Sequence, residues 1–171
     1  LHTSWINIPH VTQHDECDLS ALLALRAKLN KKHELKISPL AFIAKVTADV
    51  LAEFPMLNSS LDPELEKIVI KKYVNLGIAV DTPEGLIVPN IKNVQEKSIV
   101  NIAEEIAMLA SAAKTRKLKL PDLKGSSFTI SSLGAIGGKF FTPIINPPEV
   151  GILGLSKTFP KVVAKNEGFE S

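Results

Sequence analysis

Cysteine is nearly absent from this sequence of 171 residues, in which Cys17 is the only one. A single cysteine cannot form a disulfide within the chain or build a cysteine-rich zinc site. Such scarcity is what a reducing compartment permits. We therefore expect the protein in the cytosol or in the matrix of an organelle.

Aromatic residues and net charge are also low. Only 5% of the residues are aromatic, and the formal net charge at pH 7 is +2. Proteins that bind nucleic acid usually carry a basic surface, often with aromatic rings that stack on bases. These two deficits argue against nucleic acid as a partner.

Long apolar runs are missing, since none approaches the roughly 20 residues that a helix needs to cross a bilayer. No charged segment followed by an apolar one opens the chain, as it would in a secretory signal. A membrane is therefore not an expected partner. The first residue is Leu1 rather than Met, so we expect that domains upstream are missing from this sequence.

The composition is sufficient for one hydrophobic core, with 45% apolar and 22% charged residues. A chain of this length typically forms a single domain. Because no internal repeat or low-complexity linker interrupts it, we predict one α/β domain over residues 1–171.

Three segments have the apolar spacing of amphipathic helices. The first follows Asp18, a predicted N-cap, and ends in the polar run Asn30–His33. The second starts at Ser38–Pro39, a cap followed by a proline at the first helical position, and ends before Pro55. The third follows Ser98 and ends in a basic cluster, where cations suit the helix dipole.

Runs rich in β-branched residues predict strands elsewhere. The segment Trp5–His14 has an extended character, and we place a strand at Val11–Cys17. The other predicted strands are Lys67–Lys71, Val74–Val80, Leu86–Pro89, Ser127–Ser131 and Val150–Ser156. Val162–Val163 and the turn Asn166–Gly168 predict a final hairpin without its second arm.

Three short patterns approach known motifs without meeting their requirements. Gly134–Lys139 lacks the spacing of a phosphate-binding loop and the helix that would follow it. His10 and His14 would lie roughly 13 Å apart along a strand, so a zinc pair is not expected. Ser131 is not in a Gly-x-Ser-x-Gly elbow, so nothing marks it as a hydrolase nucleophile. From the residues alone, no activity follows.

Five strings of residues, in order and at matching spacing, resemble the catalytic core domain of the dihydrolipoyl acyltransferases. Each string alone is a weak signal, but coincidence does not explain all of them in order. They are Ile8–Thr12, Phe54–Asp62, Gly77–Pro89, Phe128–Gly134 and Thr142–Val150.

The resemblance implies an α/β fold like that of chloramphenicol acetyltransferase, a two-layer sandwich with a mixed β-sheet and helices on one face. It also implies a homotrimer with active sites at subunit interfaces, and trimers that build a larger cubic or dodecahedral core. The other partners that it implies are the lipoyl domain of the same protein and the decarboxylase and dihydrolipoyl dehydrogenase components of a 2-oxoacid dehydrogenase complex.

The implied reaction moves an acyl group between a dihydrolipoyl group, carried on a separate domain, and the substrate coenzyme A, without a metal. Thiol attack on a thioester builds negative charge on the carbonyl oxygen, which a fixed hydrogen-bond donor stabilises. By resemblance Ser131 would be that donor. The Ser-Ser-Leu-Gly string at Ser131–Gly134 is typical of the acetyl-transferring members.

For coenzyme A contacts, the resemblance points to several polar or small residues. Three of them also have ordinary explanations, as a solvated helix charge (Arg26), a helix cap (Ser38) and a turn residue (Asp81). The predicted contacts are Arg26, Ser38, Asp81, Ser132, Gly154 and Ser156.

The general base of the family is a histidine in a downstream His-Arg-x-x-Asp-Gly motif. None of the histidines here, which are His2, His10, His14 and His33, matches that motif before the chain ends. We therefore expect that the domain lacks its C-terminal strand and helix and that this chain alone is inactive. An alternative is a non-catalytic scaffold subunit that keeps the trimer geometry.

Overall fold

The computed structural model describes residues 2–33, 36–62, 64, 66–134, 136–165 and 168–170. None of the helices in these ranges is long and apolar enough to cross a membrane. The helices are α1 His2–Asn7, α2 Ser20–His33, α3 Pro39–Glu53, α4 Ile99–Lys114 and α5 Leu120–Leu123, with short 3-10 helices at Pro55–Asn58 and Val94–Glu96. The strands are β1 Ser59–Asp62, β2 Lys67–Ile70, β3 Leu76–Ile78, β4 Val80–Thr82, β5 Gly85–Ile87, β6 Asn90–Ile91, β7 Phe128–Ser132, β8 Ile152–Leu155, β9 Val163–Lys165 and β10 Gly168–Glu170.

A four-stranded mixed sheet forms the centre of the domain, in the order β6-β3-β7-β8. Strands β3, β7 and β8 are parallel, and β6 is antiparallel to β3 at the edge. The remaining strands form antiparallel pairs, β1 with β2, β4 with β5 and β9 with β10.

Helices α3 and α4 pack together over one face of the sheet. In β3 and β7 the even-numbered residues point toward these helices, because successive side chains in a strand alternate between the two faces. The buried core residues from the strands and helices are Leu76, Ile78, Ile91, Phe128, Ile130, Ala41, Phe42, Ala44, Ala48, Leu51, Ile102 and Leu109. This arrangement confirms the predicted α/β sandwich with a mixed sheet.

The three predicted helices are confirmed. Asp18 Oδ1 accepts a 2.8 Å hydrogen bond from the backbone N–H of Ser20, where α2 begins. Ser98 Oγ accepts one of 3.2 Å from the N–H of Asn101, in the first turn of α4. Ser38 has the extended backbone of an N-cap, but its side chain makes no capping hydrogen bond.

The predicted strands from residue 67 to residue 156 are confirmed, with one division. The run Val74–Val80 forms β3 and β4, because the chain leaves the central sheet after Ile78 and pairs with β5 through the turn Thr82–Gly85. Strand β1 was not predicted. It pairs with β2 from Ser59 to Asp62.

The predicted strand at Val11–Cys17 is wrong, and so is the extended reading of residues 5–7. Residues 2–7 form α1, whose Ser4 hydroxyl donates a 2.5 Å hydrogen bond to the carbonyl oxygen of Ile145. Residues 11–17 have no regular structure, and Val11 is 96% exposed. A strand needs a neighbour to satisfy its backbone, and no described strand lies beside this segment.

The predicted final hairpin is present as β9 and β10, which pair from Val163–Glu170 to Lys165–Gly168. Its turn residues Asn166 and Glu167 lie outside the described residues. The expectation that the second arm was missing is wrong, because β10 supplies it. Local β-formers near residue 163 were sufficient to place the first arm.

Candidate active site

Five of the predicted site residues lie where the parallel strands end. Because β3, β7 and β8 run in the same direction, their carboxyl ends meet at one edge, where open α/β sheets bind ligands. Ser131 and Gly154 are register partners across β7 and β8. The N–H of Ala79 donates a 3.0 Å hydrogen bond to the carbonyl oxygen of Ile130, which brings the start of β4 beside them. The residues brought to this edge are Asp81, Ser131, Ser132, Gly154 and Ser156.

The Ser131 side chain lies on the sheet face away from the helices. Its neighbour Ile130 is 1% exposed and packs in the helix-facing core, so Ser131 points the opposite way. Ser131 is half-buried, and within the part of the chain that the structure describes its hydroxyl makes no hydrogen bond. The hydroxyl is therefore available to donate to a ligand.

Gly154 has a packing role beside Ser131. A Cβ atom at Gly154 would lie 2.8 Å from Cζ of Phe141 and 3.2 Å from Cγ of Pro143. The ring of Phe141 therefore covers this strand only because position 154 has no side chain. Phe141 therefore packs on β8 beside the register partner of Ser131, a contact that the sequence did not predict.

Hydrogen bonds from α2 to the backbone of Ile37 place Arg26 near Ser38, the next residue in the chain. Arg26 Nε donates a 2.7 Å hydrogen bond to the carbonyl oxygen of Ile37, so Arg26 is more than a solvated helix charge. Asn30 Oδ1 accepts a 2.9 Å hydrogen bond from the N–H of the same residue. Helix α2 thus holds the start of α3 by both backbone groups of Ile37.

The direction of α3 places Ser38 at the same end of the domain as Ser131. Helix α3 leads into Pro55–Asn58, and Asn58 Nδ2 donates a 2.9 Å hydrogen bond to the carbonyl oxygen of Tyr73, shortly before β3 begins. Helix α3 therefore runs against the direction of β3. Its first residues lie toward the edge where the parallel strands end.

Two of the histidines, His10 and His14, make contacts that hold other parts of the chain in place. His10 Nδ1 is 2.7 Å from the carbonyl oxygen of Ile8, and its Nε2 accepts a 3.0 Å hydrogen bond from the N–H of Ile145. Both ring nitrogens are thus engaged, and His10 is not free to act as a base. The His14 ring packs edge-on against Phe140. In the described ranges no group of three His, Cys, Asp or Glu could hold a metal ion.

Comparison with known proteins decides the family. Residues 1–171 match the family model described as 2-oxoacid dehydrogenases acyltransferase (catalytic domain). The chain belongs to this family. Among its relatives is the dihydrolipoyllysine-residue acetyltransferase component of the pyruvate dehydrogenase complex of Cupriavidus necator, 47% identical over 99% of this chain and 31% of that protein. The chain therefore spans about a third of the length of that relative.

Solved structures support the same assignment for the acyltransferase domain. The dihydrolipoamide acetyltransferase of Azotobacter vinelandii matches with a TM-score of 0.95 and 46% identity, over 99% of this chain and 71% of that one. The cubic core of a pyruvate dehydrogenase multienzyme complex also gives 0.95, with 47% identity and the same coverage. Chloramphenicol acetyltransferase gives a TM-score of 0.50 at 12% identity, over 84% of this chain and 69% of that one, which shows the shared fold alone.

The acyltransferase domain also contains a buried acid that the sequence reasoning missed. Glu149 is 3% exposed, and its Oε2 accepts a 2.6 Å hydrogen bond from the hydroxyl of Thr129. Burial raises the pKa of Glu149, and the Thr129 hydrogen bond, the polar side chains of Ser126 and Asn146 and the positive charge of Lys71 offset part of that effect. Burial lowers the pKa of Lys71, against the attraction of Glu149. An acid in an otherwise apolar run before β8 was the available signal.

Proposed function

We propose that this chain is part of the acetyltransferase core of a pyruvate dehydrogenase complex, and that the protein at its full natural length moves an acetyl group between a dihydrolipoyl group and coenzyme A. The observation that carries the proposal is the Ser131 hydroxyl, which lies at the carboxyl ends of parallel strands without a hydrogen-bond partner among the described residues. Relatives named as dihydrolipoyllysine-residue acetyltransferase components support acetyl as the acyl group that is transferred.

In this mechanism Ser131 stabilises the tetrahedral intermediate. When a thiol attacks the thioester carbon, the carbonyl oxygen gains negative charge, and the Ser131 hydroxyl donates a hydrogen bond to it. The donor is fixed on a strand, so little reorganisation accompanies the reaction. As the carbonyl re-forms, the C–S bond to the departing group breaks, and that sulfur leaves with the bonding electron pair as a thiolate. The thiolate then takes up the proton that the base removed from the attacking thiol.

A base must remove the proton of the attacking thiol, because free thiols have a pKa of about 8.5. The Azotobacter vinelandii enzyme was studied for the role of a serine, a histidine and an asparagine in its catalytic mechanism. We infer that Ser131 corresponds to that serine. None of the histidines in this sequence matches the family motif, so we assign the base to none of them.

The proposed coenzyme A surface combines the strand ends with the start of α3. Arg26 uses Nε to hold Ile37, which leaves its other guanidinium N–H groups for a phosphate. The Ser38 hydroxyl makes no capping bond, so it is also available. The remaining proposed contacts, at the strand ends, are Asp81, Ser132, Gly154 and Ser156.

Assembly into a homotrimer and then a larger core is the second part of the proposal. The β1-β2 hairpin exposes apolar side chains, and an isolated two-stranded hairpin is marginally stable at best. The exposed fractions are 66% for Leu61, 50% for Ile68, 45% for Val69 and 50% for Ile70. A second copy of the chain would cover them, as in a core like the cubic one matched above. The proposed partners remain a lipoyl domain and the decarboxylase and dihydrolipoyl dehydrogenase components, in a bacterial cytoplasm.

Acetyl transfer to dihydrolipoamide by the protein at its full natural length tests the proposal. We expect kcat/KM for acetyl-CoA to exceed that for succinyl-CoA by about tenfold or more. A protein that assembles normally but transfers no acyl group would instead be a scaffold. A preference for succinyl-CoA would contradict the acetyl assignment and leave the acyltransferase family unchanged.

A further inference from the structure

The buried carboxyl group of Glu149 packs against the central sheet on the face away from α3 and α4. Its Oε1 has no hydrogen-bond partner among the described residues, and neither has the buried Nζ of Lys71. Burying a carboxyl group with an unsatisfied oxygen destabilises the folded state, and an apolar group of similar size would usually be more stable there. Stability alone therefore does not account for Glu149.

Glu149 contacts the strand that carries Ser131. Thr129, in β7, is 1% exposed, and its hydroxyl donates a 2.6 Å hydrogen bond to Glu149 Oε2. Residues two apart in a strand point to the same face, so the side chains of Thr129 and Ser131 project side by side from β7. The hydrogen bond thus anchors β7 at Thr129, which is the neighbour of Ser131 on the same face of the sheet.

The sheet is tightly packed at this point. A Cβ atom at Gly77, the register partner of Thr129, would lie 2.8 Å from Thr129 Oγ1 and 2.9 Å from Ser126 Oγ. The absence of a side chain at Gly77 therefore lets the Thr129 hydroxyl lie close against the neighbouring strand β3. The hydrogen bond between Thr129 and Glu149 restrains β7 on the face away from α3 and α4. On the side of β8, the contact of Gly154 with Phe141 lies next to β7.

We propose that Glu149 is a positioning residue for acyl transfer, holding β7 through Thr129 so that the Ser131 hydroxyl points at the oxygen where charge develops. The inference rests on the proposed function of Ser131. An oxyanion donor must be placed accurately, since a misplacement of about 1 Å can reduce the rate by about 100-fold. A buried hydrogen bond next to the donor supplies that accuracy.

The first test removes the hydrogen bond in the full-length protein. Thr129→Val keeps the shape of the side chain, and we expect kcat to fall about tenfold while KM for both substrates changes less than about twofold. Thr129→Ser keeps the hydroxyl and should restore kcat to within about threefold. Thr115→Val, which removes an exposed hydroxyl at the end of α4, is the matched control and should have no effect.

The acid itself is tested by Glu149→Gln, which keeps an oxygen that can accept from Thr129, and by Glu149→Leu, which does not. We expect the first variant to retain most of kcat and the second to lose as much as Thr129→Val. If Glu149→Leu fails to fold, the double variant Thr129→Val with Glu149→Leu replaces both partners by apolar groups and should fold with the same reduced kcat. Unchanged kcat in that folded double variant would overturn the proposal.

A double-mutant comparison separates positioning from general structural damage. In a Ser131→Ala background, Thr129→Val should cost less than about twofold in kcat, because the group that it positions is already gone. A further tenfold loss there would overturn the proposal. If Ser131→Ala lowers kcat but Thr129→Val does not, this inference alone fails. If Ser131→Ala itself has no effect, the proposed function of Ser131 fails instead.

Discussion

Arg26 donates a 2.7 Å hydrogen bond from Nε to the carbonyl oxygen of Ile37, across the connection between α2 and α3. The bond fixes the backbone immediately before Ser38. The Arg26 side chain therefore helps to position Ser38, which is another predicted coenzyme A contact. It also explains why an arginine is partly buried on α2. The relationship gives Arg26 a structural and a binding role that separate variants can distinguish.

Arg26→Ala should raise KM for coenzyme A about tenfold and lower the free energy of unfolding by about 1 to 2 kcal/mol, through loss of the bond to Ile37. Steady-state kinetics and denaturant unfolding measure the two effects. Lys28→Ala, an exposed position on the same helix, is the control. An unchanged KM in Arg26→Ala would remove this residue from the proposed coenzyme A surface.

Ser38 and Ser98 form a matched pair for separating capping from binding. Ser98→Ala removes a capping hydrogen bond to Asn101 and should lower the free energy of unfolding by about 1 kcal/mol, with kinetics unchanged. Ser38→Ala removes no capping bond, so it should leave stability nearly unchanged and raise KM for coenzyme A. The reverse pattern would show that Ser38 is only a structural residue.

Gly154→Ala should be destabilising because the new methyl group would lie 2.8 Å from the Phe141 ring. Forcing such an overlap in packed surroundings typically costs about 1 to 3 kcal/mol. Gly134→Ala is the control, because a Cβ there would have only an ordinary 3.6 Å contact with Ser132 Oγ. Equal stability of the two variants in denaturant unfolding would argue against the close approach of Phe141 to β8.

Stability should depend on pH through Glu149. Burial raises its pKa above the value in the unfolded chain, so in the pH range between the two values the folded state binds more protons than the unfolded state. The free energy of unfolding therefore falls as pH rises through that range, and the loss is complete above the raised pKa. Glu149→Gln should lack this component. If the difference in stability between the two proteins is constant with pH, Glu149 does not titrate as the structure implies.

The fold was predictable where local signals and tertiary packing agreed. Asp18, Ser98 and the Ser38–Pro39 pair marked the helix starts, and the β-branched run at Lys67–Lys71 marked a strand. The prediction was wrong at residues 5–7, which are helical, and at residues 11–17, where the preference for strand is local and no described strand lies beside the segment. A local preference for strand does not produce a strand unless a neighbouring strand is available for backbone hydrogen bonds.

The candidate site was predictable only through the resemblance, since Ser131 carries no nucleophile motif. What the sequence could not show was the supporting set around it. The contacts of Thr129 with Glu149 and of Gly154 with Phe141 join residues distant in the chain, and they depend on strand register. A pattern of residue types contains no information about such pairs until the topology is known.

The most direct test of the account is the maximal rate of acetyl transfer by Ser131→Ala in the full-length protein. We predict a fall in kcat of about 100-fold with KM for coenzyme A nearly unchanged, because the hydroxyl acts on charge that develops in the transition state. Ser111→Ala, at an exposed position on α4, should match the unmutated enzyme. A Ser131→Ala rate within about threefold of the unmutated rate would contradict the oxyanion role.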